Sequence, residues 1–104
     1  MDNQMTEFMK NRWAVIGFDS YTAKDILEEI EQSCGKTISR KFIRSYEMRT
    51  EFTDGTVLRW IPAKKFLKRI KFGKMWCDKN IDREILKCVI LPQYFGRYEE
   101  IIWV

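Results

Sequence analysis

The sequence predicts a small α/β domain of the α+β kind: a mixed sheet containing a β-hairpin at about 42–61, with two or three helices packed on it. Three observations lead there. A short apolar run, Trp13 to Phe18, is followed by a helical pattern that stops at Gly35. Asp54-Gly55 stands between two β-prone stretches, and a second helical pattern from about Asn80 to Pro92 precedes an apolar end, Ile101 to Val104. At 104 residues the chain is long enough for one core, so residues 1–104 are read as a single domain. A content of 45% hydrophobic residues suffices to fill that core, and order is expected throughout.

Taken in order, Met5, Phe8 and Met9 stand at helical spacing, which predicts a short amphipathic helix within Asp2 to Arg12. Trp13 to Phe18 is then a buried strand, broken by Asp19 and Ser20. Thr22, with Asp25 three residues on, resembles a capping box. Ala23, Ile26, Leu27, Ile30 and Cys34 follow on one helical face, and Gly35 supplies the left-handed stop. The opposite face holds Glu28, Glu31 and Gln32, with Glu29 beside it, so this helix is expected to display an acidic surface.

From about Ile38 to Ile61 the pattern predicts two long strands joined at Thr53-Asp54-Gly55-Thr56. Asp-Gly suits a two-residue type I′ turn, in which both central residues take positive φ. That turn pairs Phe52 with Val57 and Arg49 with Trp60. It gathers Met48, Phe52, Val57 and Ile61 on an apolar face and leaves Glu47, Arg49, Glu51, Leu58 and Trp60 on the other. Trp60 is then an aromatic opposite Arg49, placed for a cation–π contact or for a ligand.

Pro62 suits a first helical position, and Ala63, Phe66, Leu67 and Ile70 continue as a stripe rimmed by Lys64, Lys65, Lys68, Arg69 and Lys71. A strand with Phe66, Ile70 and Phe72 on one face fits the same residues. Beyond Gly73, Lys74 to Asp78 reads as a brief buried strand ending in a carboxylate. Asn80 then caps a helix with Ile81, Ile85, Cys88 and Val89 on its inward face and Leu86 and Ile90 widening it, which Pro92 ends. The apolar end, Ile101 to Val104, is expected to be buried in the sheet or across a dimer interface.

Composition excludes several function classes. There is no histidine, and Cys34, Cys77 and Cys88 lie far apart without a CxxC pair. That removes most zinc sites and the Ser-His and Cys-His forms of catalysis, and the thiols are read as buried and structural. No cofactor and no catalytic constellation is expected, so a non-enzymatic protein is. No apolar run is long enough to span a bilayer, and the first residues lack a secretory layout, so a cytoplasmic protein without a membrane partner is expected.

Charge is polarised along the chain. Residues 1–35 carry three basic and seven acidic groups, residues 36–80 thirteen and four, and residues 81–104 three and four. The central excess singles out Arg49, Arg59, Trp60, Lys64, Lys65, Lys68, Arg69, Lys71 and Lys74 as a basic aromatic surface. Its expected partner is nucleic acid or a nucleoprotein complex, with Trp60 or Tyr46 for stacking. The same charges also fit an acidic protein groove, an anionic nucleotide, or a homodimer in which the acidic and basic regions meet.

The order hairpin (Thr53 to Arg59), basic segment (Lys68 to Lys74) and apolar strand ending in Asp (Met75 to Asp78) resembles the middle of the ATPase domain of phage terminases and related P-loop motor proteins. There it corresponds to a hairpin, an arginine-containing loop and a Walker B strand. The chain departs from that family where the chemistry sits. Asp19 to Asp25 stands in place of a phosphate-cradling loop, and Lys79 stands where the family places a glutamate to position the attacking water. The resemblance implies a degenerate phage- or mobile-element-type protein that keeps a fold fragment without ATP hydrolysis, for example an inhibitor of a host nuclease or defence complex in the host cytoplasm. Asp78, which follows three apolar positions, reads as a strand-end residue that caps the following helix or pairs with Lys79 or Arg83, in preference to a metal ligand.

Overall fold

A computed structural model describes residues 7–63 and 70–104. Its centre is β1 (Arg12–Ile16), in which Ala14, Val15 and Ile16 are fully buried. A strand covered on both faces needs an unbroken apolar run, and this is the chain's first one. On either side β4 (Val57–Ile61) and β5 (Lys74–Cys77) pair with β1 in parallel. Outward from β4 come β3 (Glu47–Phe52) and β2 (Ile38–Arg44), both antiparallel to their inner neighbours, and outward from β5 comes the parallel β6 (Ile102–Trp103). The sheet order is therefore β2-β3-β4-β1-β5-β6, a mixed sheet in a small α+β domain.

Alternation along β1 divides the interior in two. Val15 points with Met48, Phe52, Leu58 and Trp60 toward α2 (Ser20–Ser33), whose Ala23, Ile26, Leu27 and Ile30 complete that core. Ala14 and Ile16 point the other way, with Ile61, Phe72, Met75 and Cys77, under Leu86, Ile90 and Ile101. Helical cover on this second face is α3 (Arg83–Ile85), continued by a π-helical turn over Leu86–Ile90 and a 3₁₀ turn over Leu91–Gln93.

Several expectations are corrected. The N-cap of α2 is Asp19, whose carboxylate accepts the Thr22 N–H at 2.8 Å, not Thr22 itself. Gly35 ends the helix at φ +74° as expected. What reads as one long strand before Asp54 is two, β2 and β3, folded back on each other at Ser45-Tyr46. The β3–β4 register also differs by one residue: Arg49 faces Arg59, Thr50 faces Leu58, and Glu51 faces Val57. The loop has three residues, not two. Phe52 N–H donates to the Thr56 carbonyl at 2.9 Å, and Gly55 alone of the loop takes positive φ, +92°. One step of register exchanges the faces of β4, so Leu58 and Trp60 turn into the core and Arg59 turns out of it.

The later helix also differs. Its cap is Asp82, accepting the N–H groups of Glu84 and Ile85 at 2.8 and 3.1 Å, rather than Asn80. The π turn, closed by Leu91 N–H to the Leu86 carbonyl, shifts the helical phase, so Leu86 and Ile90 face inward and Cys88 is exposed. Cys77 alone of the three thiols is fully buried, and burial pushes it up to about 12. Pro92 lies inside the 3₁₀ turn over Leu91–Gln93, near its start, where a missing N–H costs nothing. Of the first predicted helix, Glu7–Lys10 (α1) is described; most of the predicted basic helix, residues 64–69, lies outside the described residues.

Both sheet edges are open among the described residues. β2 presents Arg40, Lys41 and Arg44 without an acidic side chain in the strand. At β6, Ile101 is buried but Ile102, Trp103 and Val104 keep 40, 40 and 41% exposure, short of the burial expected.

Gly17 ties the parallel strands together. Its N–H donates to the Ile61 carbonyl at 2.9 Å, and its own carbonyl accepts the Trp60 indole N–H at 2.6 Å. A Cβ there would sit 2.9 Å from the Asp78 Cβ, and φ is +92°. Gly17→Ala is expected to cost about 3 kcal/mol in urea unfolding, against about 1 kcal/mol for Gly35→Ala, which meets nothing within 4 Å.

Candidate anion-binding site

On the face shared by Ala14 and Ile16, helical cover among the described residues reaches β1, β5 and Ile61 but not the antiparallel wing. A cavity of about 500 Å³ opens there, lined by Arg12, Arg49, Glu51, Val57 and Arg59 from the strands, with Trp13, and by Ile70, Lys71 and Phe72 from the segment before β5. Four cations thus meet one carboxylate. Sheet register brings them together: Arg59 lies opposite Arg49, and Arg12 is beside Val57, on the same face of neighbouring strands. Gln93 places the other wall. Its side-chain carbonyl accepts the Ile70 N–H, and its backbone carbonyl accepts the Phe72 N–H at 3.1 Å.

Like charges facing each other across strands weaken a sheet. Arg49 is relieved of most of that strain. Its Nε lies 3.2 Å from Glu51 Oε2, an ion pair rather than an aligned hydrogen bond, and its Nη1 lies 3.9 Å from Glu47 Oε2. Its guanidinium also stacks 4.6 Å from the centre of the Phe42 ring. Arg49 thus neutralises Glu47 and Glu51, its neighbours on one hairpin face. Arg12 donates from Nη1 to the Gly55 carbonyl at 3.3 Å. Arg59 differs: among the described residues no carboxylate lies within ion-pair distance and it donates no hydrogen bond. Burial, and then the Arg49 and Arg12 charges, hold its pKa below the usual arginine range, although Glu47 and Glu51 pull the other way. It remains a cation at neutral pH.

The other predicted residues fall elsewhere. Trp60 is 8% exposed and bonded to Gly17, so it offers no stacking platform; the changed register put it in the core. Lys71 lines the cavity, its ammonium 5.7 Å from the Phe95 ring centre. Lys74 lies on the opposite face, 4.7 Å from the centre of Trp13 and 5.1 Å from that of Trp76. Lys64, Lys65, Lys68 and Arg69 lie outside the described residues. Tyr46 is 69% exposed at the β2–β3 turn and does not line the cavity.

Arg12, Trp13 and Trp76 were not singled out by sequence. Trp13 and Trp76 pack 5.7 Å apart, with Lys36 also lying 5.6 Å over Trp13. The acidic face of α2 is smaller than expected, because the Glu31 carboxylate is 5% exposed and accepts from Lys41 at 2.8 Å and from the Thr50 hydroxyl. Asp78 accepts the Asn80 N–H at 2.9 Å and so closes the turn after β5, at the carboxyl end of that strand and away from the cavity. Among the described residues, no group of three or more Cys, Asp or Glu side chains is placed to hold a metal ion, and no helix is long and apolar enough to cross a membrane.

Comparison with protein-family models, with curated proteins and with solved structures finds no match.

Near the mouth of the hairpin, Lys36 pairs with Asp54 and holds its carboxyl down to about 2. The folded-state value lies below the ordinary 3.8, so the pair stabilises fully above 3.8 and is lost as pH falls through about 2. Carbon-13 NMR is expected to show the Asp54 midpoint near 2 and, in Lys36→Met, a return toward 3.8.

Proposed function

We propose that this chain is a non-enzymatic binding protein that engages nucleic acid, or a complex that handles it, through its basic surface. One observation carries the reading: Arg59 stands in a cavity opposite Arg49 and beside Arg12, with no carboxylate at ion-pair distance among the described residues. A sheet that keeps a destabilising like-charge pair departs from local consistency, and such departures mark functional positions. Lys71 adds to the same cavity, and Lys64, Lys65, Lys68 and Arg69 precede it in the sequence. Cations in this number suit a polyanion better than a single carboxylate.

In its phage- or mobile-element form, the reading makes the protein an inhibitor that occupies the surface of a host nuclease or defence complex. The terminase-like order of Thr53 to Arg59, Lys68 to Lys74 and Met75 to Asp78 supports that origin. Labelled oligonucleotides titrated across a salt series test the binding. About six phosphate contacts give a log–log slope near −4 on single strands. The double variant Arg59→Ala, Lys71→Ala is expected to weaken binding by about 10- to 100-fold, whereas Asp78→Asn leaves it unchanged. No binding at low salt overturns the proposal.

A second reading, assembly through β6, is favoured by the exposed Ile102, Trp103 and Val104 on an edge strand. Sedimentation is then expected to show a concentration-dependent dimer that Trp103→Arg abolishes. A monomer at every concentration removes this reading.

A further inference from the structure

The cavity differs from a groove that tracks a nucleic-acid backbone. A phosphodiester carries one negative charge and continues past its binding site in both directions, so a backbone-tracking surface is a stripe of separated cations. Here the cations converge from β1, β3, β4 and the segment before β5 on one concavity of about 500 Å³, with Val57, Ile70 and Phe72 as apolar walls. Among the described residues its lining holds Arg12, Arg49, Arg59 and Lys71 against Glu51, with Glu47 reaching Arg49 from outside it, more positive charge than one diester needs. A phosphate monoester carries about −1.5 to −2 at neutral pH and offers three acceptor oxygens. Arg59 brings a planar fork of donors, none used within the described residues, a geometry suited to two oxygens of one phosphate.

We propose that the cavity formed by Arg12, Arg59 and Lys71 receives the terminal phosphate monoester of a nucleic-acid strand, with Arg59 as the residue that reads it. Arg49, tied to Glu51, Glu47 and Phe42, is a positioning residue that supplies field rather than a contact. The inference rests on the nucleic-acid reading and adds to it a preference for phosphorylated ends.

Fluorescence anisotropy compares three single strands of one sequence: 5′-phosphorylated, 3′-phosphorylated and hydroxyl at both ends. One phosphorylated strand is expected to bind about 10-fold or more tighter than the hydroxyl strand, the increment of a charge-assisted, bidentate contact. Arg59→Ala is expected to bring the ratio close to one. Arg59→Lys, which keeps the charge and loses the fork, leaves a reduced ratio, and Lys74→Ala, on the other face, alters all three strands in proportion. Thermal melting verifies that each variant is folded. Equal affinity for all three strands, with a steep salt slope, overturns the end-phosphate inference and leaves the nucleic-acid reading standing. Binding of inorganic phosphate or a nucleoside monophosphate without binding of any strand overturns both, as does displacement by polyglutamate with no preference among strands.

Discussion

The hydrogen bond from the Phe52 N–H to the Thr56 carbonyl decides on which face of the sheet every residue of β4 stands. It closes a three-residue loop in which Gly55 takes the left-handed conformation, and Asp54 braces the loop by accepting the Thr56 N–H at 2.9 Å. Because side chains in a strand alternate, that single closure sends Leu58 and Trp60 into the core beneath α2 and sends Val57, Arg59 and Ile61 to the opposite face. Trp60 then reaches the Gly17 carbonyl, so the end of β1 and the start of α2 inherit their position from the hairpin. The cavity inherits its charge from the same event, since Arg59 meets Arg49 only in this register.

Packing and charge are therefore divided between the two wings of one sheet. On the α2 side the antiparallel wing is filled by Met48, Phe52, Leu58 and Trp60, with Thr50 bonded to Glu31. Among the described residues no helix lies over the reverse side of that wing, and there Phe42, Arg49 and Glu51 form a stacked, ion-paired layer beside Arg59. A polar layer whose charges are paired and stacked can stay wet without unfolding the strands. The cavity lies where this layer ends and the apolar cover over Ala14 and Ile16 begins.

Much of the scaffold was legible in the sequence. Ala23, Ile26, Leu27 and Ile30 announce α2, the apolar runs announce β1 and β5, and Asp54-Gly55 marks the hairpin turn. What could not be read depends on alternatives of similar local energy or on distant partners. Asp-Gly serves a two-residue turn and also a three-residue loop with glycine last, and the two differ by one register step; Trp60 was misplaced for that reason alone. Arg12 follows a helical pattern, and only its parallel pairing with Val57, 45 positions later, brings it to Arg59. Glu31 looks like one more solvent-facing acid until Thr50 and Lys41 arrive from the strands. The π turn leaves no mark in an apolar spacing that α-helical periodicity also fits.

The two edges of the sheet set a limit on growth. At β2, a second copy would bring Arg40 and Arg44 against the same cations, with no acidic side chain in either strand to offset them, Lys41 being held by Glu31. At β6, Ile102 and Trp103 meet no such opposition. Sheet-to-sheet contact is thus permitted at one margin and repelled at the other. Two copies joined through their β6 margins would present only cationic β2 margins outward, so such an assembly ends at a closed pair and does not propagate as a fibre.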